Sequence, residues 1–196
     1  MSYKVYKSEI MKTNQKKTHY LKHIGDYRYE GLIEMFKGFN KALDNFKQKF
    51  EEISWYEGDN YNEETELIYG VALVSLQNYI NACCADFIRI KPDGYTEKYQ
   101  YYSENTKIIA NDVSQIRLIN ELANYFKHKN DKTGLTKNTR KYLEKLDLLR
   151  YRSNEENGWS ENLMIEGLEM LYHNGFNINQ LLPIVKSWRD ENIEKI

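Results

Sequence analysis

NDVSQIRLINELANYFKHKND, residues 111–131, is the stretch from which the rest of the chain is read. Ile116, Ile119, Leu122, Ala123 and Phe126 recur at spacings of three and four, which lines them along one face of a 3.6-residue helix. At about 100° per residue, Arg117, Glu121, Asn124 and His128 fall on the opposite side, within a sector of roughly 60°. Past His128 the apolar pattern stops, and Lys129-Asn130-Asp131-Lys132-Thr133-Gly134 has the composition of a turn. A cation, a carboxylate, an amide and an imidazole thus share one stripe. Read from geometry alone, the stripe is a solvated helix face held by its own ion pairs, Arg117 with Glu121 among them.

Working outward, the neighbouring segments also read as helix. Upstream, Leu32, Phe36, Phe39, Leu43, Phe46, Phe50 and Ile53 alternate four and three, a heptad-like seam that packs along a nearly parallel or antiparallel neighbour. Residues 63–89 are apolar on most sides, as expected of the central helix of a bundle, and Asn62 is its expected cap. Within them, residues 67–85 carry no charge, but Ser75, Gln77, Asn78 and Asn81 would be costly in lipid, so the expectation is a buried bundle helix. Pro92-Asp93-Gly94 ends it. The tyrosine-rich segment 95–106 is expected to be a surface loop or short helix, its rings packing an exposed connector or stacking on bases. Downstream, Tyr142, Leu143, Leu146 and Leu149 mark the inner face of a short helix over 136–149. A further helix follows from about residue 161, and Pro183 sits in the first turn of the last one, where its missing N–H is tolerated.

Composition narrows the class. A chain of 196 residues suits one domain with a sizeable core. Two prolines and ten glycines leave little material for a many-stranded β fold. The expected fold is therefore all-α, an up-and-down bundle with main helices near 27–54, 63–89, 108–129 and 161–195, the last in one or two pieces. Residues 1–24 read as a basic arm and 25–196 as a single helical domain.

The net charge of −1 gives no global pull toward nucleic acid or membrane, but its distribution is uneven. Residues 127–145 carry seven Lys or Arg against Asp131 and Glu144, whereas residues 51–66 carry seven acids and no base. The basic region includes the His128 end of the helix. Cys83 and Cys84 are helical neighbours pointing about 100° apart, too divergent for a disulfide, and read as small core residues. His19 and His23 have the spacing of a metal pair with no third ligand nearby, and Glu169 with His173 forms a second acid–imidazole pair at a helix end. No cofactor and no metal are called for. No signal peptide shows at the N-terminus, and the expected location is cytoplasmic, with no membrane partner.

Ala123-Asn124-Tyr125-Phe126-Lys127-His128 resembles the signature helix of the HEPN superfamily, small α-helical proteins of prokaryotic defence and toxin–antitoxin systems. The resemblance covers about residues 64–149. Active members carry Arg, a polar residue, three further residues and His, and use them as a metal-independent RNase site across a homodimer. Asn124 matches the polar position, His128 matches the histidine, and Ala123 stands where the family has arginine. The resemblance implies a HEPN-like bundle with additional C-terminal helices, with a second copy, RNA, and an antitoxin or defence-system protein as partners. Two functions follow from it: a non-catalytic RNA- or partner-binding module, or an endoribonuclease. An unrelated helical interaction protein is the third reading. The site residues expected are Asn124, Lys127 and His128, the histidine as base or acid, the lysine for charge, the amide to orient a phosphate.

Overall fold

A computed structural model of the chain describes residues 26–55, 58–91, 94–152, 162–172 and 177–195. In chain order these form α1 (Tyr27–Glu52), α2 (Gly58–Ile90), the single turn α3 (Lys98–Tyr101), strands β1 (Ile108–Ala110) and β2 (Val113–Ser114), α4 (Gln115–His128), α5 (Lys137–Lys145), α6 (Leu163–Glu169) and α7 (Leu181–Glu194), with 3-10 turns at Leu148–Arg152 and Ile178–Gln180. Among the described residues the fold is all-α apart from one two-stranded hairpin, as the sequence leads one to expect. The arm at residues 1–24, His19, His23 and His173 lie outside the described residues.

α2 is the axis of the bundle. It runs antiparallel to α1, with Asp26 and Tyr29 meeting Tyr79 at one end and Phe50 meeting Tyr61 at the other. It also runs antiparallel to α4, where Glu66 pairs with Lys129 and Gln77 reaches the Asn120 carbonyl. Leu73, Leu76, Ile80, Cys84 and Phe87 of α2 are buried together with Ile116, Ile119 and Leu122 of α4 and with Trp188 of α7. Residues 60–90 are long and apolar enough by composition to cross a membrane, yet 56% of their most apolar window is buried inside the bundle. Both cysteines are free and buried, and burial pushes each thiol up to about 12.

Two glycines fix how closely the layers approach. A Cβ on Gly70 would stand 2.1 Å from the Phe126 ring, and one on Gly167 would stand 2.6 Å from Leu122. Gly70 therefore lets α4 lie directly against α2.

Several boundaries differ from the sequence reading. α2 starts at Gly58, ahead of Asn62, and the added turn brings Tyr61 to 5.4 Å from Phe50. The seam of α1 is buried at Leu32, Phe36 and Leu43, half-buried at Phe39 and Phe46, and open at Phe50. Residues 108–114 form a hairpin instead of the first turns of α4. Ala110 pairs with Val113 across Asn111 and Asp112, whose φ angles of 48° and 62° make the two-residue reversal that antiparallel strands favour. The tyrosine segment turns inward at Tyr101 and Tyr102, while Tyr95 and Tyr99 stay exposed. α6 is capped by Asn162 and is shorter than the periodicity suggests.

Candidate functional site

The hairpin delivers Ser114 as the cap of α4. Its Oγ accepts the Arg117 amide at 3.0 Å and donates to the Tyr102 carbonyl, tying the tyrosine segment to the first turn of the helix. Arg117 consequently rises between two aromatic rings, its guanidinium carbon 4.6 Å from the centroids of both Tyr102 and Tyr142. Its Nη2 donates to the Tyr99 carbonyl at 2.9 Å. One turn on, Glu121 Oε1 lies 3.7 Å from Arg117 Nη1. The expected pair forms, but it is buried, with side chains only 9% and 5% exposed. The Arg117–Glu121 part of the stripe is thus not solvated, with Tyr102 and Tyr142 lying over the guanidinium, whereas the His128 end stays open.

Against this stripe lies a cleft of about 350 Å³. α2 contributes Gln77 and Asn81, and α4 contributes Arg117, Asn120, Glu121, Asn124 and Lys127. Thr136, Asn138 and Thr139, at the start of α5, form the facing wall with Tyr102. A chain of contacts runs along the cleft. Lys127 Nζ donates to Gln77 Oε1 at 2.7 Å, and Gln77 Nε2 donates to Asn124 Oδ1 at 2.9 Å. Asn124 Nδ2 then reaches Glu121 Oε2 at 3.4 Å. The Tyr102 hydroxyl donates to Asn81 Oδ1 at 2.8 Å, and burial pushes that phenol up to about 12, so it stays a neutral donor.

The structure thus brings two of the three expected site residues, Asn124 and Lys127, onto one cleft. His128 is one turn beyond Asn124 but does not line the cleft. Its Nδ1 lies 2.8 Å from Asp131 Oδ2, and its side chain is 40% exposed. Ala123, at the position of the family's arginine, is fully buried in the core. Sequence reasoning took Gln77 and Asn81 only as amides unsuited to lipid, and did not name them, Asn120, Asn138 or the threonines as site residues. A signal for the first two was present: two amides four apart place their side chains on one face of an otherwise apolar helix.

No protein-family model, curated protein or solved structure matches this chain. The site is therefore read from its own geometry. Its polar groups are already oriented by one another, it carries two cations to one carboxylate, and it opens beside the basic run that starts at Lys127. Such a cleft suits a ligand that combines negative charge with hydrogen-bonding edges.

Proposed function

We propose that the protein is a HEPN-like, non-catalytic RNA-binding module of a prokaryotic defence or toxin–antitoxin context, acting in the cytoplasm as a homodimer. The observation that carries this reading is the amide-lined cleft with Lys127 at its edge: Gln77, Asn120 and Asn124 offer base-reading groups, and the lysine offers charge to a phosphate. The non-catalytic choice is supported by Ala123, which is buried and uncharged where the family's arginine stands, and by His128, which faces Asp131 rather than the cleft. A second copy is the expected partner because Leu67 and Val71, one turn apart on α2, are 58% and 39% exposed.

One observation favours the endoribonuclease as a second reading. The His128–Asp131 contact at 2.8 Å has the form of an imidazole oriented by a carboxylate, which fits a general base with its other nitrogen free to face a 2′-hydroxyl.

Fluorescence polarisation with a labelled single-stranded RNA, with the RNA recovered and sized afterward, tests both. The expected result is salt-dependent binding, weakened roughly tenfold in Lys127→Glu, with intact RNA. RNA cleaved by the wild type and left intact by His128→Ala would replace the module with the nuclease. Absence of RNA binding at any salt concentration would overturn both.

A further inference from the structure

The Arg117–Glu121 pair is slack in a way that points to its ligand. A charge-assisted N–H···O bond closes to about 2.7–2.9 Å. Here Glu121 Oε1 stands 3.7 Å from Arg117 Nη1, and Oε2 stands 3.4 Å from Asn124 Nδ2. Both oxygens of a carboxylate that is only 5% exposed therefore lack a short donor. Arg117 is in the complementary position: its Nε is buried with no hydrogen-bond partner among the described residues, and the two tyrosine rings hold the guanidinium where it is. Burying charged groups with unused hydrogen-bonding capacity is costly unless something completes them.

The unused capacity has a definite pattern. Two acceptor oxygens side by side call for two parallel N–H donors, and the cationic donor beside them calls for an adjacent acceptor. Among the neutral nucleobases only guanine presents that sequence along one edge, N2–H and N1–H followed by the O6 carbonyl. Adenine and cytosine offer a single exocyclic amine next to an unprotonated ring nitrogen, and uracil offers one N–H between two carbonyls. A guanidinium or amidinium ligand would also give two donors, but Arg117 and Lys127 in the same cleft repel a cation.

We infer that this cleft is a guanine-recognition pocket, in which Glu121 accepts the N1–H and N2–H donors, Arg117 and the neighbouring amides take the carbonyl edge, and Lys127 meets the phosphate. The inference rests on the reading of this cleft as an RNA site and adds base identity to it. A free guanine nucleotide offers the same edge as a guanosine in RNA, so both sources are compared below.

The test is calorimetric titration of the wild-type protein with GMP, IMP, AMP, UMP and CMP. It is repeated with short oligouridines that carry one central guanosine, inosine, adenosine or cytidine. Inosine keeps O6 and N1–H and lacks only the N2 amine. Guanine is expected to bind roughly tenfold or more tightly than inosine or adenine, the discrimination that one bidentate pair supplies. In Glu121→Gln, which offers one acceptor and one donor, that advantage should shrink to about twofold or less. The wild-type comparison of guanine with inosine stands even if the variant fails to fold. Guanine preference among mononucleotides alone supports the pocket and assigns it to a free nucleotide. Oligonucleotide binding that is blind to the central base overturns the guanine pocket and leaves the RNA-binding reading intact. Binding of neither ligand set overturns both.

Discussion

Two polar networks flank α2 on opposite faces, and they differ in how completely they are closed. The first joins α1, α2 and α7. Asp26 Oδ2 accepts the Tyr79 hydroxyl at 2.8 Å and pairs with Arg189 Nε at 2.9 Å, while Arg28 spans to Asp86 at 2.7 Å. The second is the Arg117–Glu121 stripe, with its contacts of 3.7 and 3.4 Å and a cleft beside it. Both bury charge, which costs desolvation. In the first, contacts of 2.7–2.9 Å offset most of that cost, although the Arg189 Nε–H lies close to Asp26 without an aligned hydrogen bond among the described residues. In the second, the offset is incomplete and the open side faces a cavity. On the reading proposed above, the first network holds the fold together and the second is the one a ligand would complete.

The largest effect should come from opening the closed network. Asp26→Ala leaves Arg189 with only the more exposed Asp190, strips the Tyr79 hydroxyl of its acceptor and removes the α1 cap. It should lower stability by about 3–5 kcal/mol in urea unfolding, the range for breaking a buried pair. Acid should open the same network. Burial works to raise the Asp26 carboxyl's pKa, but the Tyr79 hydroxyl and the Arg189 and Arg28 charges outweigh it and hold the group below its ordinary value of 3.8. A carboxyl whose pKa is depressed on folding contributes stability that is full above the unfolded pKa and is lost as pH falls through the folded one. Melting temperature should therefore drop below about pH 4, and Asp26→Asn should blunt that drop. An unchanged acid profile in Asp26→Asn would mean that the network is not closed.

The next effect tests the close packing of α4 on α2. Gly70→Ala drives a methyl into the Phe126 ring and should cost about 1–3 kcal/mol despite the better helix propensity of alanine. A gain in stability would show that α2 and α4 do not approach as described. Opening the slack network should do less. Glu121→Gln keeps the shape and removes a pair held only at 3.7 Å, so its melting should change by about 1 kcal/mol or less. A loss as large as that of Asp26→Ala would erase the distinction between the networks. Smallest of all, Glu34→Ala breaks the solvated contact to Lys37 and should change stability by at most about 0.5 kcal/mol, within the spread of surface substitutions.

Much of this contrast lies beyond the reach of sequence. Periodicity identified α1, α2 and α4, because Leu32, Phe36, Leu43 and the Ile116–Ile119–Leu122 series repeat at helical spacing and are buried as that spacing implies. It also set Arg117, Glu121 and Asn124 on one stripe. What periodicity does not carry is what covers a polar stripe. The covering groups, Tyr102 and Tyr142, come from segments before and after α4, and only the Asn111-Asp112 reversal and the Ser114 cap bring the first of them into place. That reversal was hidden because Ile108, Ile109 and Val113 continue an apolar pattern that a helix would also satisfy. Gln77 and Asn81 were legible as polar groups in an apolar helix, but their reason for being there depends on α4 packing directly against Gly70.

Whether the slack network takes a ligand can be read from the side-chain amide signals of ¹⁵N-labelled protein during titration with single-stranded RNA. The NH₂ resonances of Gln77, Asn120, Asn124 and Asn138 should shift together and saturably, while backbone amides around Asp26 and Arg189 stay in place. Shifts confined to residues outside the cleft, with those four amide pairs unmoved at saturation, would contradict a ligand site there.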